Sequence, residues 1–287
     1  MATGTNIKTY FDGAWHDADI PVMRAGDHGA WQATQVFDGA RYVNGLAPDL
    51  RAHCERVVRS ARALSLHPGK TGAEIFDIVW EGLKRYPKDT PVYIRPNFFG
   101  IDGGHYGIVP AETEAGFFVC LEEVPIAPPE ASSRLTTTRF HRPVLATAVL
   151  DAKAGCLYPN NARMLMEARS KGYDNALVTD AMGNVAETAT ANIFMVRDGE
   201  VFTPIPNGTF LNGITRQRHI SNLRADGYTV TETVLGYADF READEVFMSG
   251  NLNKVTPVLE FDGTNYQHGP VTKRARELYW DWAASAA

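Results

Sequence analysis

A lysine held among small apolar residues can lose part of its proton affinity by desolvation and become a nucleophilic amine. Lys153 has that setting in Ala148-Val149-Leu150-Asp151-Ala152-Lys153-Ala154-Gly155-Cys156-Leu157-Tyr158. The commoner arrangement for a single lysine is a stem laid on apolar surface with its ammonium in water, so the residues around it decide. Downstream come Tyr158, then Glu187 in Ala186-Glu187-Thr188-Ala189-Thr190-Ala191-Asn192-Ile193-Phe194, then Gly213-Ile214-Thr215, then Ser249-Gly250-Asn251 with Leu252-Asn253. A Gly-Ile-Thr helix start offers an anion backbone N–H groups, a hydroxyl and the positive end of the helix dipole, although simple capping uses the same groups. Upstream, Tyr93, Arg95 and Asn97 alternate onto one face of an apolar strand. A charge there needs solvent or an anionic partner, and Pro96 gives some weight to an exposed edge strand. The set reads as a cofactor cradle.

The elements that must position these groups are legible in outline. Residues 7–16 alternate around Asp12-Gly13, and residues 35–46 do so with Asn44-Gly45, so both read as hairpins. Leu50, Cys54, Val57, Ala61 and Leu64 recur at helical spacing, which sets His53 and Arg56 near one another on an adjacent face. Thr71-Gly72-Ala73-Glu74 reads as a capping box opening a second helix that stops before Pro87. Strands follow over 91–99 and 116–121, and Arg197-Asp198-Gly199-Glu200 makes a further hairpin turn. A helix from about residue 215 to 225 ends near Gly227, and a last one begins after Pro270. The proline-containing stretch 124–133 is the expected interdomain linker, between a small α/β domain over 1–123 and a larger domain over 134–287.

Composition narrows the function classes. The 287 residues are 44% apolar, enough for a sizeable core, and a net charge of −6 with no long Lys/Arg block gives no reason to expect nucleic acid. Cys54, Cys120 and Cys156 are odd in number and far apart, which suggests neither a disulfide framework nor a metal site. The first fifteen residues carry no apolar signal core, and no uninterrupted apolar run is long enough to span a bilayer. A cytoplasmic protein without a membrane partner is expected.

Taken in order, the K-x4-Y pair Lys153/Tyr158, the E-x4-N-I-F segment from Glu187, the G-I-T-R helix start and the D-E-V-F-M-S-G strand end resemble the fold-type IV pyridoxal-phosphate enzymes, most closely the branched-chain amino acid aminotransferases. The resemblance runs from the N-terminal hairpin to the last helix. It implies a two-domain α/β fold of the D-amino acid aminotransferase type, with pyridoxal 5'-phosphate as cofactor. It further implies a homodimer or higher homo-oligomer whose active site lies at the domain junction and is closed by a neighbouring subunit's loop. Lys153 matches the Schiff-base lysine, Tyr158 the residue bonded to the ring oxygen and Glu187 the carboxylate on the pyridinium nitrogen. Arg56, in His53-Cys54-Glu55-Arg56, and Ile214, Thr215 and Asn251 match phosphate-side groups. Tyr93 and Arg95 match a Y-x-R motif that reads the substrate α-carboxylate. Phe37, with Trp31, and the loop residues Leu252 and Asn253 fall on the substrate side.

The implied reaction moves an amino group from an L-amino acid, branched-chain or aliphatic, to 2-oxoglutarate. A D-amino acid or (R)-amine transaminase, or a pyridoxal-phosphate lyase, is possible on the same fold, as is a ligand-binding module without turnover. Thr188, Thr190 and Ala191 stand where the family's E-G-x-G-E-N segment has two glycines and a glutamate. Asn251-Leu252-Asn253 stands for Thr-Ala-Ala, and Gln32 for a tyrosine. These departures touch cofactor and substrate contacts and leave Lys153, Tyr158, Glu187 and Arg56 in place.

Overall fold

The structure is a computed structural model that describes residues 4–285. Its chain forms two compact units: the first runs to Ile126 and takes back Asp151–Cys156, and the second comprises Ala127–Leu150 and the chain from Leu157 onward. The sequence reading assigned everything after residue 134 to the second domain; the six residues around Lys153 instead pack with the first.

The first unit is a six-stranded antiparallel sheet with two main helices. Strands β1 (Thr5–Phe11) and β2 (Ala14–His16) form the expected hairpin. Asp12 and Gly13 both take positive φ, as a two-residue hairpin turn that follows the strand twist requires. A short helix α1 (His28–Trp31) leads into β3 (Gln35–Phe37) and β4 (Ala40–Tyr42). Here the structure departs from the predicted second hairpin. Asn44-Gly45 does turn, but it closes only the single Val43–Leu46 bridge, while β3 and β4 both pair with β5 (Val92–Phe99). On its other side β5 pairs with β6 (Gly116–Glu123), so it is an interior strand and not the edge that Pro96 suggested. Pro96 is tolerated because its partner strand breaks between β3 and β4 there, and its carbonyl accepts from the Asp38 N–H. Helix α2 (Leu50–Ala63) buries Leu50, Cys54, Val57 and Ala61, and α3 (Gly72–Leu83) carries the capping box: Thr71 Oγ1 accepts from the Glu74 N–H while Glu74 accepts from the Thr71 N–H.

The second unit is built on a nine-stranded mixed sheet. Its strands are β7 (Ser133–Thr137), β8 (Asn175–Thr179), β9 (Val185–Thr188), β10 (Asn192–Arg197), β11 (Glu200–Pro204), β12 (Val230–Thr233), β13 (Glu245–Gly250), β14 (Lys254–Phe261) and β15 (Thr264–Asn265). They lie in the order β12-β11-β10-β13-β14-β7-β8-β9, with β15 on β14. The helices are α4 (Tyr158–Ser170), α5 (Ile214–Ala225), α6 (Tyr237–Arg241) and α7 (Pro270–Ser285). Period-two alternation explains why the strands are apolar on both faces. Along β10, Ile193 and Met195 enter a core with Val246, Phe240 and Phe261, while Phe194 and Val196 enter another with Ile220, Leu223, Val271 and Ala275 from α5 and α7. Helix α4 covers the far end of the sheet through Met164 and Ala168 against Ala176 and Val178.

Phe194 and Phe247 stack within the α5/α7 core with ring centroids 4.9 Å apart, both fully buried. Phe247→Ala is expected to lower stability by about 3–5 kcal/mol through lost transfer energy and the remaining cavity. The urea midpoint measures it, and a change below about 1 kcal/mol would mean this stack does not support the sheet.

Candidate active site

In the first unit the residues singled out by sequence gather around β3 and α2. Lys153 is half-buried between the buried Ala152 and Ala154. Its segment docks by backbone: the Phe37 N–H donates to the Lys153 carbonyl at 3.1 Å, Val36 bridges Ala154, and the Lys153 N–H donates to Ser60 Oγ at 3.0 Å. Lys153 Nζ lies 4.9 Å from the centroid of the Phe37 ring. Ser60 is one turn beyond Arg56 on α2, so the lysine and the arginine share one supporting helix.

Arg56 is clamped by a residue the sequence reading passed over. Its Nε and Nη2 donate to the two oxygens of Asp38 at 2.7 and 2.8 Å, and His53 Nδ1 lies 2.7 Å from Asp38 Oδ1. Burial of the Asp38 carboxyl alone would raise its pKa, but Arg56 and His53 outweigh it and hold the group well below the usual carboxylate range. The signal available in sequence was an acid at the end of an apolar strand, Val36-Phe37-Asp38-Gly39, fifteen residues before a His-x-x-Arg.

Elsewhere in this unit Tyr93 is buried on β5, and Arg95 Nη1 pairs with the buried Glu122 at 2.9 Å while Nη2 lies 3.5 Å from Cys120 Sγ. The charge on this strand therefore has an anionic partner already, with about 29% of the Arg95 side chain still exposed. Trp31 is exposed, its ring edge-on to His28.

In the second unit Glu187 and the start of α5 are linked through Asn192, and the other expected residues stand on separate elements. Glu187, on β9, forms an ion pair with Arg142 at 3.2 Å, and Arg142 also donates to the Thr188 carbonyl and to Asn161. Glu187 Oε2 accepts from Asn192 Nδ2 at 3.2 Å, and Asn192 Oδ1 accepts from the Gly213 N–H at 3.2 Å. Gly213 is the N-cap of α5, and no side chain caps the first turn formed by Ile214 and the buried Thr215. A Cβ on Gly213 would collide with Asn192 Oδ1, which explains the glycine. Asn251, Leu252 and Asn253 form the three-residue turn between β13 and β14 and are half-buried, with Asn253 Oδ1 accepting from the Ala127 N–H at 3.4 Å. Tyr158 stands at the start of α4 and is about 36% exposed. Arg142, Asn192 and Lys254 are the polar residues of this unit that periodicity did not single out; Asn192 alone had a local signal, five residues after Glu187.

The first unit thus offers a lysine amine, and the second an anchored carboxylate and an uncapped helix start. Among the described residues no cluster of His, Cys, Asp or Glu could hold a metal ion, and no helix is long and apolar enough to cross a membrane. Comparison with known proteins is concordant. The family model described as amino-transferase class IV matches residues 35–261. The chain is 31% identical over 282 residues to a putative branched-chain-amino-acid aminotransferase of Methanocaldococcus jannaschii, covering 96% of each chain. It is 51% identical to an aminotransferase from Brucella abortus whose crystal structure holds PLP, with TM-score 0.95 over 97% of this chain and 99% of that one. It is 29% identical to the branched-chain aminotransferase of Thermoproteus uzoniensis solved with norvaline, with TM-score 0.86 over 97% and 95% of the two chains.

The Asp38 clamp has a testable pH signature. Its folded pKa is depressed, so its contribution to stability is complete above the unfolded value of about 3.9 and is lost as pH falls below it. Asp38→Asn should cost about 3–5 kcal/mol near neutral pH, because it leaves Arg56 buried without its counter-charge. Urea unfolding from pH 7 to 3 should show the parent losing its advantage over the variant at the acid end. A constant gap across that range would show that Asp38 is not held ionised in the fold.

Proposed function

The chain belongs to the class IV aminotransferases, which work with pyridoxal 5'-phosphate on amino and 2-oxo acids, and on that premise we propose that it transfers the amino group of an aliphatic L-amino acid to 2-oxoglutarate. Branched-chain side chains are the preferred class, a reading supported by the named activity of its relatives, while the straight-chain norvaline held by one of them supports aliphatic side chains more broadly. The observation that carries the assignment is the continuous set of hydrogen bonds from Glu187 through Asn192 to Gly213, which fixes a carboxylate and an uncapped helix N-terminus with respect to each other.

The donor set fits the cofactor. The first turn of α5 supplies N–H groups, the Thr215 hydroxyl and the dipole's positive end to a phosphate. Glu187, oriented by Arg142 and Asn192, is the acceptor for a protonated ring nitrogen. Tyr158 is assigned to the ring oxygen, and Arg56 and Asn251 to the phosphate side. When bound, the cofactor supplies an aldehyde and an electron-withdrawing ring that stabilises negative charge at the substrate α-carbon. Lys153 would hold the cofactor through its amine and, with that amine free, would act as the base for the substrate α-proton. Phe37, beside Lys153 Nζ, presents an apolar face to an aliphatic side chain, and Leu252 and Asn253 are assigned to substrate contacts by their match to the family's loop. Tyr93 and Arg95 read the carboxylate, with Glu122 holding the guanidinium in place.

A homodimer or higher homo-oligomer is the assembly we assign, supported by the exposed Trp31, Tyr106 and Ile108. The cytoplasm is the compartment, supported by three free thiols.

Two measurements test this reading. Borohydride treatment of the yellow holoprotein should attach the cofactor covalently to Lys153, located by peptide mapping; an adduct on another lysine removes the central assignment. Arg95→Ala should lower kcat/KM for L-leucine about tenfold to a hundredfold more than for a simple (R)-amine, because only the amino acid brings a carboxylate to that charge. An unchanged ratio would leave Arg95 as a partner of Glu122 alone, and a parent that prefers the (R)-amine would replace the substrate assignment.

A further inference from the structure

Lys254 is the first residue of β14 and is fully buried, 0% exposed. It also takes a left-handed backbone conformation, φ 65°. Gly250 pairs with Lys254 across the turn 251–253, and three-residue hairpin loops usually carry glycine at this left-handed position. The chain therefore accepts two costs on one side chain: a β-carbon in a conformation that favours glycine, and an amine taken out of water. Costs concentrated in this way mark a residue whose side chain is needed where it is.

What that side chain does is fixed by its chemistry. Lys254 Nζ donates to Asn251 Oδ1 at 2.5 Å and lies 5.1 Å from the centroid of the Tyr279 ring. An ammonium has three donors and no acceptor, whereas an asparagine amide has an acceptor on one side and two donors on the other. The lysine therefore permits only one orientation of the Asn251 amide. In that orientation Asn251 Nδ2 is turned away from Lys254, and it is buried without a hydrogen-bond partner among the described residues. A buried N–H2 without an acceptor is costly, and this one lies in the turn that follows Ser249 and Gly250.

The surrounding groups do not compete for the Asn251 oxygen. His219, on α5, is fully buried, and burial, with Lys254 beside it, pushes its pKa down to about 3, so the imidazole is neutral. Its Nδ1 is engaged with Ser249 Oγ at 2.9 Å.

We propose that Lys254 is a positioning residue: it locks the Asn251 amide so that Nδ2 donates to an anionic oxygen, either the phosphate of the cofactor or the carboxylate of the substrate. This rests on the assignment of Asn251 to the ligand side of the site, made above, and adds the residue that orients it. Lysine at 254 thus converts a turn residue that could present either end of its amide into a dedicated donor.

The test is a double-mutant cycle in the full-length protein with Asn251→Ala, Lys254→Met and the double variant. Methionine keeps the length of the stem and removes the ammonium. Three quantities are read: the dissociation constant for pyridoxal 5'-phosphate, the same for pyridoxal, and KM against kcat for L-leucine at saturating cofactor. Asn251→Ala should weaken the anion-bearing ligand about tenfold or more. Lys254→Met should weaken it about three- to tenfold, and the double variant should match Asn251→Ala alone, because the lysine acts only through the asparagine. If the acceptor is the phosphate, the loss appears with pyridoxal 5'-phosphate and not with pyridoxal; if it is the carboxylate, KM rises while cofactor affinity holds. Additive losses in the double variant, or a Lys254→Met protein with parental constants, overturn the positioning role while the assignment of Asn251 stands. An Asn251→Ala protein with parental constants overturns both. A thermal melt of each variant separates these outcomes from unfolding, since Lys254→Met that merely loosened the hairpin would lower Tm and weaken all ligands alike.

Discussion

One rung of the second sheet, where Asn192 on β10 stands opposite Ser249 on β13, fixes the chemistry-bearing end of that unit. From one side of the rung Asn192 accepts the Gly213 N–H and donates to Glu187 and to the Leu211 carbonyl. From the other side Ser249 engages His219, six residues into α5. The helix is thereby tied to the sheet at its N-cap and again about two turns later, which sets both its position and the direction of its dipole. A single amide with one acceptor and two donors thus couples the carboxylate strand to the uncapped start of α5. Loss of either hydrogen bond would leave a buried polar group behind, so the arrangement is held by the cost of breaking it more than by the strength of its bonds.

Buried and half-buried carboxylates are treated alike in both units. Asp38 takes two guanidinium bonds from Arg56 and one contact from His53, Glu122 takes Arg95 and the Gly4 N–H, and Glu187 takes Arg142 and Asn192. Each carboxylate has more than one partner, as desolvated charge requires. The consequence is geometric. Arg56 and Arg95 are held by fixed acids inside the fold, so the entropy of immobilising each long side chain is met on folding.

Local pattern revealed the elements well and their pairing poorly. Asp12-Gly13 and Asn44-Gly45 are both turns with positive φ, but only the first joins two paired strands. Whether a strand pairs with its neighbour or with β5, some fifty residues away, depends on tertiary packing that no short window contains. The same limit hid the placement of Lys153. Its residue type and apolar setting were legible, whereas its membership of the first unit depends on Phe37 and Ser60, each roughly a hundred residues earlier. Asp38, Arg142 and Lys254 went unnoticed for a related reason: a polar residue acquires its role from partners, and Arg142 meets Glu187 only through the sheet.

The departures from the family pattern near Glu187 have a physical account in the turn that follows it. Glycine is needed in a tight turn when the backbone must enter the left-handed region, and none of residues 188–191 has positive φ. The Thr188 hydroxyl accepts from the Ala191 N–H at 3.0 Å and donates to its carbonyl at 2.8 Å, while the Thr188 N–H donates to the same carbonyl. Thr190 Oγ1 accepts from Asn175 Nδ2 on β8. Threonine side chains therefore close by hydrogen bonding a turn that glycine would close by flexibility, and a hydroxyl locked at both ends restricts the turn more than glycine does. The residue that emerges from this turn is Asn192. Replacing conformational freedom by a fixed set of bonds at 188–191 stiffens the approach to the rung on which Glu187 and the start of α5 both depend.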